Sequence, residues 1–129
     1  MKARALASVL LGIFLPLSLS AGEVLTGDQI KALFSNKTVD IVKVDTSNEN
    51  KKYLSAYTAE DGTRQLYIPW KDKTSERTWW VEDNQYCGSH PKKGDYCREI
   101  RDAGNGEYHA YGDGEHLRTF KNFRAGNQL

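Results

Sequence analysis

What this chain most lacks is a surplus of charge of either sign. Its 129 residues carry 18 Lys and Arg against 17 Asp and Glu. Setting aside the N-terminal Lys2 and Arg4 leaves the remainder almost neutral and slightly acidic. Neutralising a run of phosphates needs a basic excess, so no nucleic-acid partner is expected. A polybasic face for membrane surfaces is disfavoured for the same reason. Cysteine is scarce, with two residues, no second pair and no C-x-x-C spacing, which argues against a zinc site or a redox dithiol. Catalytic signatures are missing as well. The chain has no Gly-x-Ser-x-Gly elbow, no His-x-His or His-Glu-x-x-His spacing and no EF-hand loop. Gly104-Asn105-Gly106 lacks the third glycine of a dinucleotide loop, because position 109 is His. No internal repeat, low-complexity tract or linker divides the chain, so a single domain is expected.

What is present begins at the N-terminus. Lys2 and Arg4 precede the apolar run Ala5 to Leu17, broken only by Ser8, Gly12 and Pro16. Ser18-Leu19-Ser20-Ala21-Gly22 then offers a small-x-small cleavage pattern at Ser18/Ser20 or Ser20/Gly22. This is the order of a secretory signal. The run is shorter than the ~20 residues a membrane-spanning helix needs, and no cysteine lies near the cleavage site to take a lipid. The sequence therefore predicts a signal peptide over 1–20 and a single β-barrel-like domain over 21–129, delivered to the periplasm or secreted. No membrane span is expected after signal removal. In that oxidising compartment Cys87 and Cys97 read as one disulfide, closing a short loop rich in Gly, Pro and Lys.

Leu25 to Asn36 is the one segment with helical character. Thr26 and Gln29 have the spacing of a capping box, and Ile30, Leu33 and Phe34 share a face. From Thr38 onward the pattern becomes that of strands. Thr38–Asp45, Tyr53–Ala59, Arg64–Trp70, Thr78–Glu82, Gln85–Gly88, Tyr96–Asp102, Glu107–Tyr111 and His116–Phe123 are separated by turn residues. Asp61-Gly62 is the clearest hairpin signal. Leu66, Ile68 and Trp70 alternate and should share a buried face, while Pro69 marks an edge or a bulge. Lys71 to Glu76 reads as a charged connection. The fold class expected is mainly β: a small antiparallel meander, closed into a barrel or strongly curled, with one N-terminal helix.

The helix opening Leu-Thr-Gly-Asp-x-Ile-x-x-Leu-Phe (Leu25 to Phe34), the Asp-Gly-Thr turn (Asp61 to Thr63), a Trp-x-Val strand and the Cys…Cys pair stand together in this order. They resemble a widespread group of small exported bacterial proteins of unknown function with a lipocalin-like, or calycin-like, β domain. The resemblance runs from about Leu25 to Tyr111. It departs at Arg77-Thr78-Trp79-Trp80-Val81, where a glycine before the Trp is expected. Its motifs are structural, so it implies a fold and assigns no catalytic residue.

Functional candidates are few. His109 and His116 could meet across a hairpin, but two histidines make a poor metal site, and no metal or cofactor is expected. Asp102, Asn105, Glu107, Asp113 and Glu115 gather at Gly-rich turns and read as turn chemistry. Aromatic residues are the remaining signal. Adjacent strand residues point to opposite faces, so Trp79 and Trp80 cannot both enter one core. One of them needs a helix, a ligand or a partner over it. Trp70, Trp79, Trp80 and Tyr67 are therefore the candidate contacts of a non-enzymatic exported binding module. Its partner would be a small apolar ligand or another envelope or secreted protein. The alternative is an inhibitor or immunity-type protein that blocks a secreted hydrolase with the loop Gly88 to Tyr96, through His90, Lys92 and Lys93. A small hydrolase using His109 or His116 ranks last.

Overall fold

The first element forms where the sequence offers a complete N-terminal cap. The computed structural model describes residues 22–129, and the signal peptide expected over 1–20 lies outside them. Thr26 Oγ1 accepts from the Gln29 N–H at 3.3 Å, and Gln29 Oε1 accepts from the Thr26 N–H at 2.7 Å. This closed box is worth about 1 kcal/mol and starts helix α1 (Gly27–Phe34). The helix is shorter at both ends than expected, because the outer residues serve as cap and stop. Asn36 sits at φ 58°, a left-handed position that asparagine tolerates, and it turns the chain into the first strand.

Eight strands follow: β1 (Lys37–Lys43), β2 (Tyr53–Thr58), β3 (Thr63–Ile68), β4 (Lys73–Glu82), β5 (Gln85–Gly88), β6 (Tyr96–Gly104), β7 (Glu107–Gly112) and β8 (Glu115–Ala125). Each pairs antiparallel with the next, and β8 returns to β1, so the meander is a closed barrel. Among the described residues no helix is long and apolar enough to cross a membrane. The closing seam runs from Lys37 opposite Ala125 to Lys43 opposite Arg118. On its outer face Asp40 accepts from Ser55, Asn122 and Arg124 at 2.9–3.1 Å. These bonds hold the Asp40 carboxyl below its ordinary pKa, against the opposing effect of partial burial.

Two stretches differ from the sequence reading. Strand β3 stops at Ile68, and Pro69 opens a 3-10 turn over Pro69–Lys71, as a residue with fixed φ and no N–H can. Of the charged stretch read as a connection, Lys71 and Asp72 do connect, but Lys73 to Glu76 are the first part of β4, with Thr74 opposite Tyr67 and Glu76 opposite Gln65. Hydrophobic alternation is absent there because those positions do not face the apolar core.

The two ends of the barrel differ. At one end, α1 drives Phe34 into a ring cluster with Trp79, Tyr86, Phe120 and Phe123, at centroid distances of 4.7 to 6.5 Å. Ile30 and Phe34 are fully buried, and each such side chain contributes about 1.5–3 kcal/mol. The tight turn between β2 and β3 lies at this end, where Gly62 takes φ 98°. The first described residue, Gly22, and the C-terminal residues lie here too. The Gly22 N–H bonds the Asp102 carbonyl, and the Gln128 N–H reaches Thr38 Oγ1 at 2.8 Å. The opposite end is the mouth, framed by the connections β1–β2, β3–β4, β5–β6 and β7–β8.

Candidate functional site

Above the aromatic plug the barrel is hollow. A cavity of about 460 Å³ extends to the mouth, within the range of small-molecule sites. Its apolar wall includes Ile41, Leu54, Leu66, Ile68, Leu117 and Phe120. Alternation that aims core residues inward also aims charges inward. Lys43 is in phase with Ile41, Arg64 with Leu66 and Ile68, Arg77 with Trp79, Arg98 with Ile100, and Arg118 with Phe120. Lys71 and Lys93 join them at the rim, so seven cationic side chains line the cavity against two carboxylates, Asp45 and Asp95. Among the described residues lining it there is no serine, threonine or cysteine.

Arg64 is the deepest of these cations and only 5% exposed. Its Nη1 donates to the Tyr96 hydroxyl at 3.2 Å, and its guanidinium lies 5.8 Å from the centre of the Tyr86 ring. Its Nε is buried without a hydrogen-bond partner among the described residues. Burial opposes the charge, and phenolate charge at Tyr86 and Tyr96, with the Tyr96 hydrogen bond, raises the pKa above the ordinary guanidinium value; near neutral pH phenols carry no charge, so only the hydrogen bond offsets the burial. Arginine is nonetheless charged throughout any physiological range. Arg77 stands directly opposite on β4, with Nε bonded to Ser75 Oγ at 3.0 Å. Burial, and then the nearby Arg64 charge, push its pKa down. Tyr86 is buried between strands, and that burial raises its phenol pKa, while Arg64 pulls it back.

Tyr96 owes its position to a glycine. Gly88 lies opposite Tyr96 in the β5–β6 pair. A Cβ on Gly88 would come within 2.6 Å of the Tyr96 hydroxyl and 2.8 Å of Cζ. The tyrosine thus folds across a bare backbone to reach Arg64, a close approach that only glycine permits.

The β5–β6 connection forms one lip of the mouth. His90 and Gly94 exchange backbone hydrogen bonds at 3.0 Å, and His90 Nδ1 accepts from the N–H groups of Lys92 and Lys93. The ring must be neutral at Nδ1 to do so, and burial followed by the charges of Arg77, Lys93, Lys92 and Lys43 lowers its pKa. Cys87 and Cys97 are bonded and face each other across the base of this loop. At the opposite lip Lys43 Nζ lies 5.7 Å from the Trp70 ring. Its pKa is lowered first by burial and then by Arg118. Arg118 is paired with Asp45 at 2.6 Å.

The four aromatic residues singled out in the sequence do not converge. Trp70 lines the cavity. Trp79 is buried in the plug, stacked on Tyr86 at 5.7 Å, and its Nε1 donates to the Ala59 carbonyl at 2.6 Å. Trp80 points outward, half-buried, with Nε1 bonded to Glu82 at 3.0 Å, in one cross-strand row with Cys87 and Cys97. Tyr67 is also on the outer wall, its hydroxyl bonded to Asp72 at 3.0 Å. Of the two tryptophans, α1 serves Trp79 and the outer wall keeps Trp80.

His109 and His116 do meet across the β7–β8 hairpin, on the outer face, with ring centroids 3.7 Å apart. His116 Nε2 is already engaged with the Arg118 carbonyl and Thr119 Oγ1. Among the described residues the one cluster of three potential metal ligands is Glu82 with Cys87 and Cys97, and its sulfurs are consumed in the disulfide.

Sequence reading missed the arginines. Their signal was a parity match, with Arg64 two residues before Leu66 and Arg77 two before Trp79. Comparison of the chain with protein-family models, curated proteins and solved structures finds no match.

Proposed function

We propose that this protein is an exported, non-enzymatic binding module of calycin-like type that takes a small, largely apolar molecule into its barrel. The observation that carries this reading is the cavity of about 460 Å³, open at one end and plugged by α1 at the other. Its lining supports binding: apolar side chains and cations dominate, and the two carboxylates sit at the mouth, Asp45 held by Arg118. The test is native mass spectrometry of the mature protein, purified gently from its own exported fraction. A reproducible non-covalent adduct of a few hundred daltons supports the reading. A bare protein that also takes up no added apolar probe refutes it.

A second reading rests on the lip loop. Pro91 to Asp95 is exposed yet held in one shape by the disulfide and by His90, as an inhibitory loop must be to keep its ordering cost low. That reading expects Lys92→Ala and Lys93→Ala to abolish inhibition of a secreted hydrolase while leaving ligand uptake intact.

A further inference from the structure

The cavity's charge is unusual for a site that holds only an apolar molecule. A buried guanidinium is retained in proteins when it is paired, yet among the described residues neither Arg64 nor Arg77 meets a carboxylate. Instead the two cations stand opposite each other on adjacent strands, where like charges repel. Arg64 also keeps one N–H buried and unsatisfied. A buried donor without a partner calls for an explanation, and a bound acceptor supplies one.

We infer that the ligand is an amphiphilic organic anion, its oxyanion head seated on Arg64, Arg77 and the Tyr96 hydroxyl and its apolar body extending toward the mouth. This deepens the small-ligand reading of the same cavity and rests on it. The head group's oxygens satisfy the free Nε of Arg64 and separate two like charges with one of opposite sign. Arginine suits a planar, two-oxygen head, because its fork of donors matches carboxylate geometry. Leu66, Ile68 and Trp70 succeed Arg64 toward the mouth and give the body an apolar wall. A small inorganic anion would leave that wall bare and most of the cavity unfilled. A neutral apolar molecule would leave Arg64 as it stands, desolvated and unpaired. The cations at the rim, Lys43, Lys71 and Lys93, add a field that a low-dielectric cleft focuses inward, raising the capture rate of an anion. None of this shows in the net charge, because the compensating acids lie elsewhere on the surface.

The test compares three probes on the folded protein with its disulfide intact: decanoate, the neutral 1-decanol of the same chain length, and inorganic phosphate. Binding is read by titration calorimetry and by the emission of tryptophan, since Trp70 lines the cavity. Decanoate should bind at least tenfold more tightly than 1-decanol, with phosphate weaker than either. Arg64→Met should weaken decanoate at least tenfold and leave 1-decanol unchanged, and Arg77→Met should act in the same direction. Raising the salt concentration should slow decanoate association. Equal binding of acid and alcohol, or decanoate affinity unaltered by Arg64→Met, overturns the inference, and phosphate binding as tightly as decanoate overturns its amphiphilic part. Should the Arg64 variant fail to fold, the acid-to-alcohol ratio on the wild-type protein decides alone. The neutral fluorophore N-phenyl-1-naphthylamine separates the two levels of the argument. If it enters the barrel and decanoate does not, the small-ligand reading stands and the anion inference falls; if neither enters, both fall.

Discussion

Replacing Arg64 with methionine should make the empty protein more stable, which is the reverse of the usual outcome for a core substitution. The side chain is 5% exposed, and methionine fills a similar length without charge. The change forfeits a hydrogen bond from a charged donor to Tyr96, worth about 1.5–3 kcal/mol at its best geometry and less at the observed 3.2 Å. It also loses the Tyr86 ring contact at 5.8 Å, about 0.5–1 kcal/mol. Against these stand the desolvation of an ion, several kcal/mol even after relaxation, which includes the unsatisfied Nε. Relief of the repulsion with Arg77 adds to that side. The balance favours Arg64→Met by about 1–2 kcal/mol, a rise in thermal midpoint of about 4–8 °C per kcal/mol for a domain near this size. Circular dichroism melts with and without 1 mM decanoate provide the assay. Ligand should raise the wild-type midpoint, since binding at a hundredfold excess over Kd adds about 2.7 kcal/mol, and should raise the variant's by only about half as much if its Kd is tenfold weaker, so the order of the two proteins narrows or inverts. A ligand-free variant that loses more than about 1 kcal/mol would falsify the reasoning: Arg64 would then be a structural tie between β3 and β6.

Four further outcomes can be checked. Phe34→Ala removes the ring around which the closed end packs, and should cost about 3–5 kcal/mol in urea unfolding. Cys87→Ser with Cys97→Ser opens a loop spanning ten residues of sequence separation, and should cost about 2–3 kcal/mol, read as a lower urea midpoint. Gly88→Ala places a methyl against the Tyr96 hydroxyl; strain of about 1–3 kcal/mol and weaker decanoate binding should appear together. Acid should destabilise the fold through His90 and His109, both with pKa below the free value of 6.5. For His109 burial acts first and His116 second, with Glu107 opposing. As pH falls the unfolded chain takes up these protons before the folded one, so their contribution is complete above about 6.5 and declines below it. Urea midpoints at pH 7.5 and 5.5 should differ, and His109→Gln should reduce the difference.

The helix and the meander were legible because local chemistry and hydrophobic phase agreed. Thr26 and Gln29 announced a cap, Asp61-Gly62 a hairpin, and Leu66 with Ile68 an inward face. The same logic explains what was missed. Strand assignment from sequence looks for apolar residues on alternate positions, and that pattern fades wherever a strand's inner face borders a polar hollow. The early part of β4, Lys73 to Glu76, was read as a connection because none of these residues faces the apolar core, and the next one, Arg77, lines the cavity. Arg64 and Arg98 passed as ordinary strand cations although both keep step with buried neighbours. Charge counting failed for a related reason, since a sum over the chain erases which charges share a space. Trp70, Trp79, Trp80 and Tyr67 drew attention in their place, and of those four only Trp70 borders the cavity.

The placement of Gly22 and Gln128 has a practical side. Gly22 is fastened to β6 and Gln128 to the start of β1, both on the plugged side of the barrel. A biotin, a fluorescent protein or a surface tether attached beside Gly22 or after Gln128 therefore hangs from the base and leaves the opening facing outward into solution. The molecule can be arrayed as a capture reagent with its opening unobstructed. A quencher placed on the lip loop would report filling of the barrel without disturbing the handle by which it is held.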